Sequence, residues 1–131
     1  MIGVDTNVLV RYFVNDDAAQ HTLARRLIDS DDIFVSNIIL AESFWVFKRL
    51  YKLDKEQIGF ILFSFLRMSN IEFENDVVFS HALTAYQEIN CDFGDAIIAA
   101  VHSRNGIETA SFDKSAIKKL GFRHPSDILG Q

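Results

Sequence analysis

The chain has 131 residues, 49% of them hydrophobic and 24% charged, which is the composition of one compact globular domain and not of a disordered chain. Its formal net charge of -5 argues against a general, groove-filling nucleic-acid binder, because phosphate contacts need clustered Lys and Arg. That balance leaves room for an enzyme acting on nucleic acid, if acids are concentrated in one site and bases surround it, so charge alone settles nothing.

Cys91 is the single cysteine, so no intramolecular disulfide forms and a reducing cytoplasm is the expected location. The N-terminus lacks a basic region and Asp5 interrupts the first apolar residues, so no signal peptide is expected. No apolar run approaches the roughly 18 residues of a spanning helix. One Pro and six Gly, scattered along the chain, mark no linker, and a single domain over residues 1–131 is expected.

In chain order, Ile2 to Val4 is a short apolar segment. After it, Val8 with Tyr12 and Leu9 with Phe13 recur at i,i+4 and predict a short helix. A second helix is expected from Asp17 to Asp29, with Ala18, Leu23, Leu27 and Ile28 inward. Ile33 to Ser36 reads as a strand, with Ser36 or Asn37 capping an apolar helix from Asn37 to about Tyr51. Asp54 caps the next helix, which runs through Ile58, Ile61, Leu62, Phe65 and Leu66, and Ile71 to Glu74 is a strand candidate.

Helices from about Asp76 to Glu88 and from about Phe93 to Arg104 follow, the latter ended by Asn105-Gly106. Ile107 to Phe112 reads as a strand, Lys114 to Leu120 as a short helix stopped by Gly121, and a small final strand is placed near Phe122. Strands alternating with helices predict right-handed crossovers and a parallel sheet covered on both faces, an α/β fold.

In such sheets ligands sit beyond the carboxyl ends of the strands. Asp5 follows the first apolar segment and Asp113 follows the strand Ile107 to Phe112, so both belong at that edge. Each also suits a helix N-cap, and the two roles are compatible. Glu42 has Ile38, Ile39, Trp45 and Val46 at helical spacing. A carboxylate on such a stripe ion-pairs, for instance with Arg49, shifts its pKa, or meets a cation. Asp95 opens the apolar run D-A-I-I-A-A-V, where a first-turn acid also suits the helix dipole. Asp92, three residues earlier, either joins Asp95 on one face or is simply the exposed cap of that helix, the cap being favoured.

Brought together, these carboxylates would repel one another unless a hard cation neutralised them. Oxygen-only ligands select Mg²⁺ or Mn²⁺ over zinc. His21, His81, His102 and His124 show no ligand spacing with each other or with Cys91, and read as surface or capping groups.

The opening V-D-T-N-V-L-V, the segment L-A-E-S-F-W-V-F, the segment D-F-G-D-A-I-I-A-A and the strand end T-A-S-F-D-K occur in that order. Together they resemble a PIN domain, in particular the VapC-type toxins of prokaryotic toxin–antitoxin pairs, over essentially the whole chain. The resemblance implies a three-layer, Rossmann-like α/β fold with a central parallel sheet in the order 3-2-1-4-5, flanked by helices. It implies a Mg²⁺- or Mn²⁺-dependent endoribonuclease that leaves a 5′-phosphate and a 3′-hydroxyl.

Carried over by motif, Asp5, Glu42, Asp95 and Asp113 are the catalytic, metal-holding acids. Thr6 and Asn7 match the polar pair beside the first acid, and Ser111 lies where the family often has a hydroxyl. Asp92 has no consistent counterpart. An RNA substrate, a homodimer and a cognate antitoxin that covers the acids are the implied partners. Arg11, Arg25, Lys48 and Lys114 are among the candidate RNA contacts. Phe44, Trp45, Phe47, Phe60 and Phe63 are candidates for either a partner groove or the core.

Two rivals remain at the level of sequence. An aspartate-based phosphatase would want a second Asp two residues after Asp5, where Asn7 stands, and a receiver domain would want paired acids after its first strand. A catalytically silent module for protein or RNA contact is the other, against which the presence of all four acids speaks. No G-x-G-x-x-G follows the first strand, which sets aside a dinucleotide-binding fold.

Overall fold

The computed structural model describes residues 1–130, which hold three strands and eight helices. They cluster into two compact units, Met1–Asp76 and the residues from Val77 onward.

The first unit is an α/β arrangement. Strand β1 (Ile2–Gly3) leads into helix α1 (Thr6–Phe13), and helix α2 (Ala18–Ser30) precedes strand β2 (Ile33–Val35). Helices α3 (Asn37–Arg49) and α4 (Lys55–Leu66) then lead to strand β3 (Ile71–Phe73). The strands form a parallel sheet in the order β1-β2-β3, with Ile2 beside Ile33 and Ile33 beside Ile71. Ile33 and Val35 are fully buried, as the central strand of a sheet flanked by helices requires.

The helices begin where short polar side chains accept orphan N–H groups. Asp5 accepts from Val8 N at 3.0 Å, Asp17 from Gln20 N at 3.0 Å, and Ser36 from Ile39 N at 3.4 Å. Asp54 and Gln57 form a reciprocal capping box at the start of α4. Phe13 meets Tyr12, Phe47 and Phe65 edge-on, with centroids 4.9, 6.3 and 4.6 Å away. These rings, with Leu9, Ile28, Leu40 and Leu62, make the core of this unit.

The second unit is helical: α5 (Asp76–Ile89), which starts on the last residue of the first unit, α6 (Phe93–Arg104), α7 (Lys114–Leu120) and α8 (Pro125–Leu129). Phe93 lies edge-on to Phe79 and Tyr86, with centroids 6.2 and 6.0 Å away. Gly121 closes α7 at φ 74°, a left-handed cap that suits glycine.

The expected strands at Ile107–Phe112 and near Phe122 reduce to one parallel bridge between Ala110 and Arg123. Its hydrogen bonds are Arg123 N to Thr109 O at 2.8 Å and Ser111 N to Arg123 O at 2.9 Å. Ile107 and Phe112, at the two ends of the segment, are 54% and 77% exposed, so burial does not extend the pairing. In α2, Ala18 and Leu23 are exposed rather than inward, because the buried stripe runs through Ala24 and Ile28. Helix α8 was not expected, although Pro125 at its first turn, His124 before it and left-handed Gly130 after it are ordinary helix signals. Among the described residues no helix is long and apolar enough to cross a membrane.

Candidate active site

In the first unit the acids stand beyond the carboxyl ends of the strands. Val4, whose N–H donates to Phe34 O at 3.3 Å, carries the chain out of β1 to Asp5. Asp5 is exposed, and its Oδ1 is held by the Val8 N–H at the start of α1. The next residue, Thr6, donates its hydroxyl to Oε2 of Glu42 at 2.7 Å. One dipeptide therefore presents a carboxylate and orients a second one from α3, 36 residues further along the chain.

Glu42 does not lie on a buried stripe. The buried face of α3 is Leu40, Ser43, Phe44 and Phe47, whereas Glu42, Ile38 and Trp45 are exposed, the last two at 65% and 55%. Because α3 is apolar on nearly every side, helical spacing alone cannot say which stripe packs inward. The partner of Glu42 is Thr6 and not Arg49. The aromatic residues proposed for a partner groove divide likewise, with Phe44 and Phe47 in the core and Trp45, Phe60 and Phe63 exposed.

A groove of about 310 Å³ opens at Asp5 and runs between α1 and α2, lined by Asn7, Arg11, Gln20, Leu23 and Leu27 among others. Arg11 is anchored there: Nε donates to Gln20 Oε1 at 2.9 Å, and Nη1 donates to Asp16 and to the Tyr51 hydroxyl. Arg25 lies over the Tyr12 ring at 4.5 Å and Lys48 over Phe44 at 5.7 Å, so these cations already have protein partners.

In the second unit Asp92 caps α6, accepting from Asp95 N at 2.9 Å. Gly94 lies between them, and a Cβ there would stand 3.1 Å from Asp92 Oδ2, so that the capping carboxylate would have to give by a few tenths of an ångström. Asp95 is half-buried in the first turn of α6. Loss of solvent, and then the negative charges of Asp92 and Asp113, raise its pKa above the ordinary carboxylate value. Asp113 caps α7 through Ala116 N at 2.9 Å, and its own N–H donates to Ser111 Oγ at 3.0 Å. The two readings of Asp92 are thus compatible: it caps α6, and its charge also bears on Asp95.

In each unit the acids offer oxygen donors only. Asp5 and Asp113 each have Oδ1 engaged by a backbone N–H, and Glu42 has Oε2 engaged by Thr6, so one oxygen of each is fixed and the other is available. The charge held near Asp95 is of the kind a hard divalent cation relieves. Within neither unit do three His, Cys, Asp or Glu side chains form a ready-made metal group among the described residues. Three of the four histidines are occupied elsewhere: His102 Nδ1 lies 2.7 Å from Thr109 Oγ1, His21 Nδ1 lies 2.7 Å from Arg11 O, and His124 caps α8.

Sequence reasoning missed Glu74, whose carboxylate accepts from Asn37 N at 3.0 Å and ties the end of β3 to the start of α3. Its position directly after a strand, as with Asp5, was the available signal.

The family model of the PIN domain matches residues 2–123, so the chain belongs to the PIN domain family. Membership implies a nuclease acting on nucleic acid, and such nucleases typically use divalent metal ions. No curated protein matches the chain significantly.

Proposed function

We propose that this PIN domain is a Mg²⁺- or Mn²⁺-dependent endoribonuclease, the toxin of a type II toxin–antitoxin pair. In this reading Asp5, Glu42, Asp95 and Asp113 hold the metal, with Thr6, Asn7 and Ser111 supporting them. The observation that carries it is the family match, which runs through all four acids. Asp95, half-buried beside Asp92 and Asp113 with its pKa raised by loss of solvent and by their charge, supports it as well.

A bound divalent ion would supply charge neutralisation at the phosphodiester oxygens and a lowered pKa for a water. The chain's own residues do the rest. Asp5 and Asp113 are immobilised as helix caps, so each presents its second oxygen in a fixed direction. Thr6 keeps Glu42 turned toward the end of β1, and Ser111 holds the backbone of Asp113 through its N–H. Preorganised carboxylates of this kind need no rearrangement when the phosphate arrives.

The same reading takes residues 1–131 as one domain with the full sheet order 3-2-1-4-5, in which the segments of the Ala110–Arg123 bridge are the fourth and fifth strands. It also takes a cytoplasmic homodimer silenced by an antitoxin. The test is titration of Mg²⁺ and Mn²⁺ into wild type and Asp95→Asn, followed by thermal melts and cleavage of a mixed RNA pool. Metal-induced stabilisation and cleavage in wild type, both lost in the variant, are expected. Absence of any metal response returns the acids to the role of helix caps, and stabilisation without cleavage favours a silent module.

A further inference from the structure

We propose that the groove between α1 and α2 is a nucleotide subsite, which holds the base next to the scissile phosphate of a single-stranded RNA. The inference rests on the nuclease reading for the identity of the strand, and on the groove itself for the rest.

Asp5 is one of the residues that line the groove, so a strand with a phosphate at that acid has the groove open beside it. Its volume of about 310 Å³ is near the lower end of the roughly 300–1,000 Å³ of small-molecule pockets, suited to one nucleotide and far too small for a duplex. One wall is aliphatic: Leu23 and Leu27 of α2 line it, and Leu23 is 62% exposed with no part in the core. An unstacked base needs such a surface, because its face is apolar and its edge is polar.

Amide groups serve the edge. Asn7 stands two residues after Asp5, and its side chain makes no hydrogen bond among the described residues. Gln20 has Oε1 held by Arg11 Nε at 2.9 Å, which fixes its amide plane and leaves Nε2 without a partner among the described residues. An amide offers a donor and an acceptor side by side, the pattern that pairs with base edges.

Arg11 lies six positions after Asp5, about 9 Å of helical rise away, and is itself locked by Asp16 and Tyr51. It lines the groove with Nη2 making no hydrogen bond among the described residues, a donor left over for the next phosphate of a strand leaving the acids even though Asp16 pairs with Nη1. Single-strand binding through a fixed cation and a base-sized surface has this form.

The experiment measures binding of a short, randomised, fluorescein-labelled single-stranded RNA by anisotropy, with Ca²⁺ in place of Mg²⁺. Wild type is compared with Leu23→Ser, Gln20→Leu and the remote surface variant Phe60→Ser, and each is checked for wild-type circular dichroism. Leu23→Ser and Gln20→Leu are expected to weaken binding about tenfold, with Phe60→Ser unchanged. Sequencing of the products cut in Mg²⁺ is expected to show altered base preference beside the cleaved bond for Gln20→Leu.

Equal affinity of all four proteins overturns the subsite even when wild type cuts RNA, and leaves the nuclease reading intact. Wild type that binds the RNA through the groove but never cuts it defeats the nuclease reading and keeps the subsite. Failure of wild type to bind single-stranded RNA, or equal binding of duplex RNA, overturns the subsite.

Discussion

Thr6→Val isolates the hydrogen bond that links the first strand end to α3. Valine has nearly the shape of threonine and a similar helix propensity, so α1 is preserved and only the hydroxyl donor is lost. A hydrogen bond to a charged group contributes about 1.5–3 kcal/mol when it is shielded. Here Glu42 is exposed and Thr6 half-buried, so water replaces the lost donor and the cost in stability falls below about 1 kcal/mol. The thermal midpoint should move by a few degrees or less.

Function should respond more strongly. Residues that orient metal-binding carboxylates typically cost 10–100-fold in metal affinity or activity when removed, and Thr6→Val should fall in that range of about 10–100-fold. The assay is Mg²⁺ titration followed by thermal shift, together with the rate of cleavage of an RNA pool. Thr6→Ser, which restores the hydroxyl, should recover most of both. A Thr6→Val protein with wild-type metal affinity and rate would show that Glu42 needs no such anchor. A midpoint loss far beyond a few degrees would show instead that the bond is a fold element.

Asp5→Asn should keep its helix, because Asn caps about as well as Asp, yet lose the metal-induced rise in melting temperature. Asp95→Asn should raise the melting temperature in EDTA at neutral pH. The raised native pKa means that the folded state binds the proton more tightly than the unfolded one. Wild-type stability therefore falls as pH rises from the unfolded carboxylate range through the native pKa. The benefit of Asn should shrink to nothing in melts below that range, and a gain that persists in acid would point to another cause. Phe47→Ala removes a fully buried ring that packs edge-on to Phe13 and should cost about 3–5 kcal/mol in urea unfolding. Gly94→Ala should raise the melting temperature slightly, because alanine is favoured over glycine in a helix by up to about 1 kcal/mol and the exposed Asp92 Oδ2 need give only a few tenths of an ångström, whereas a fall would show that the α6 cap does not tolerate the methyl.

Local chemistry was legible from residue order. Asp5, Ser36, Asp54, Asp92 and Asp113 cap helices where short polar side chains precede apolar periodicity, since an N-cap involves only three or four consecutive residues. The same holds for β2, β3 and the end of α7 at Gly121, and the motif order carried the family. Which face of an apolar helix packs inward was not legible, because every stripe of α3 offers similar hydrophobic area and only its neighbours select one. That selection left Glu42 and Trp45 exposed and placed Phe44 and Phe47 in the core.

The extent of pairing beyond Ala110 was equally hidden, because a strand exists only as far as a partner supplies hydrogen bonds. The bond from Thr6 to Glu42 and the groove beside Asp5 belong to the same class. The bond joins residues 36 apart and the groove joins two successive helices, so sequence determined the groups that stand there and the packing of one element on another decided that they meet.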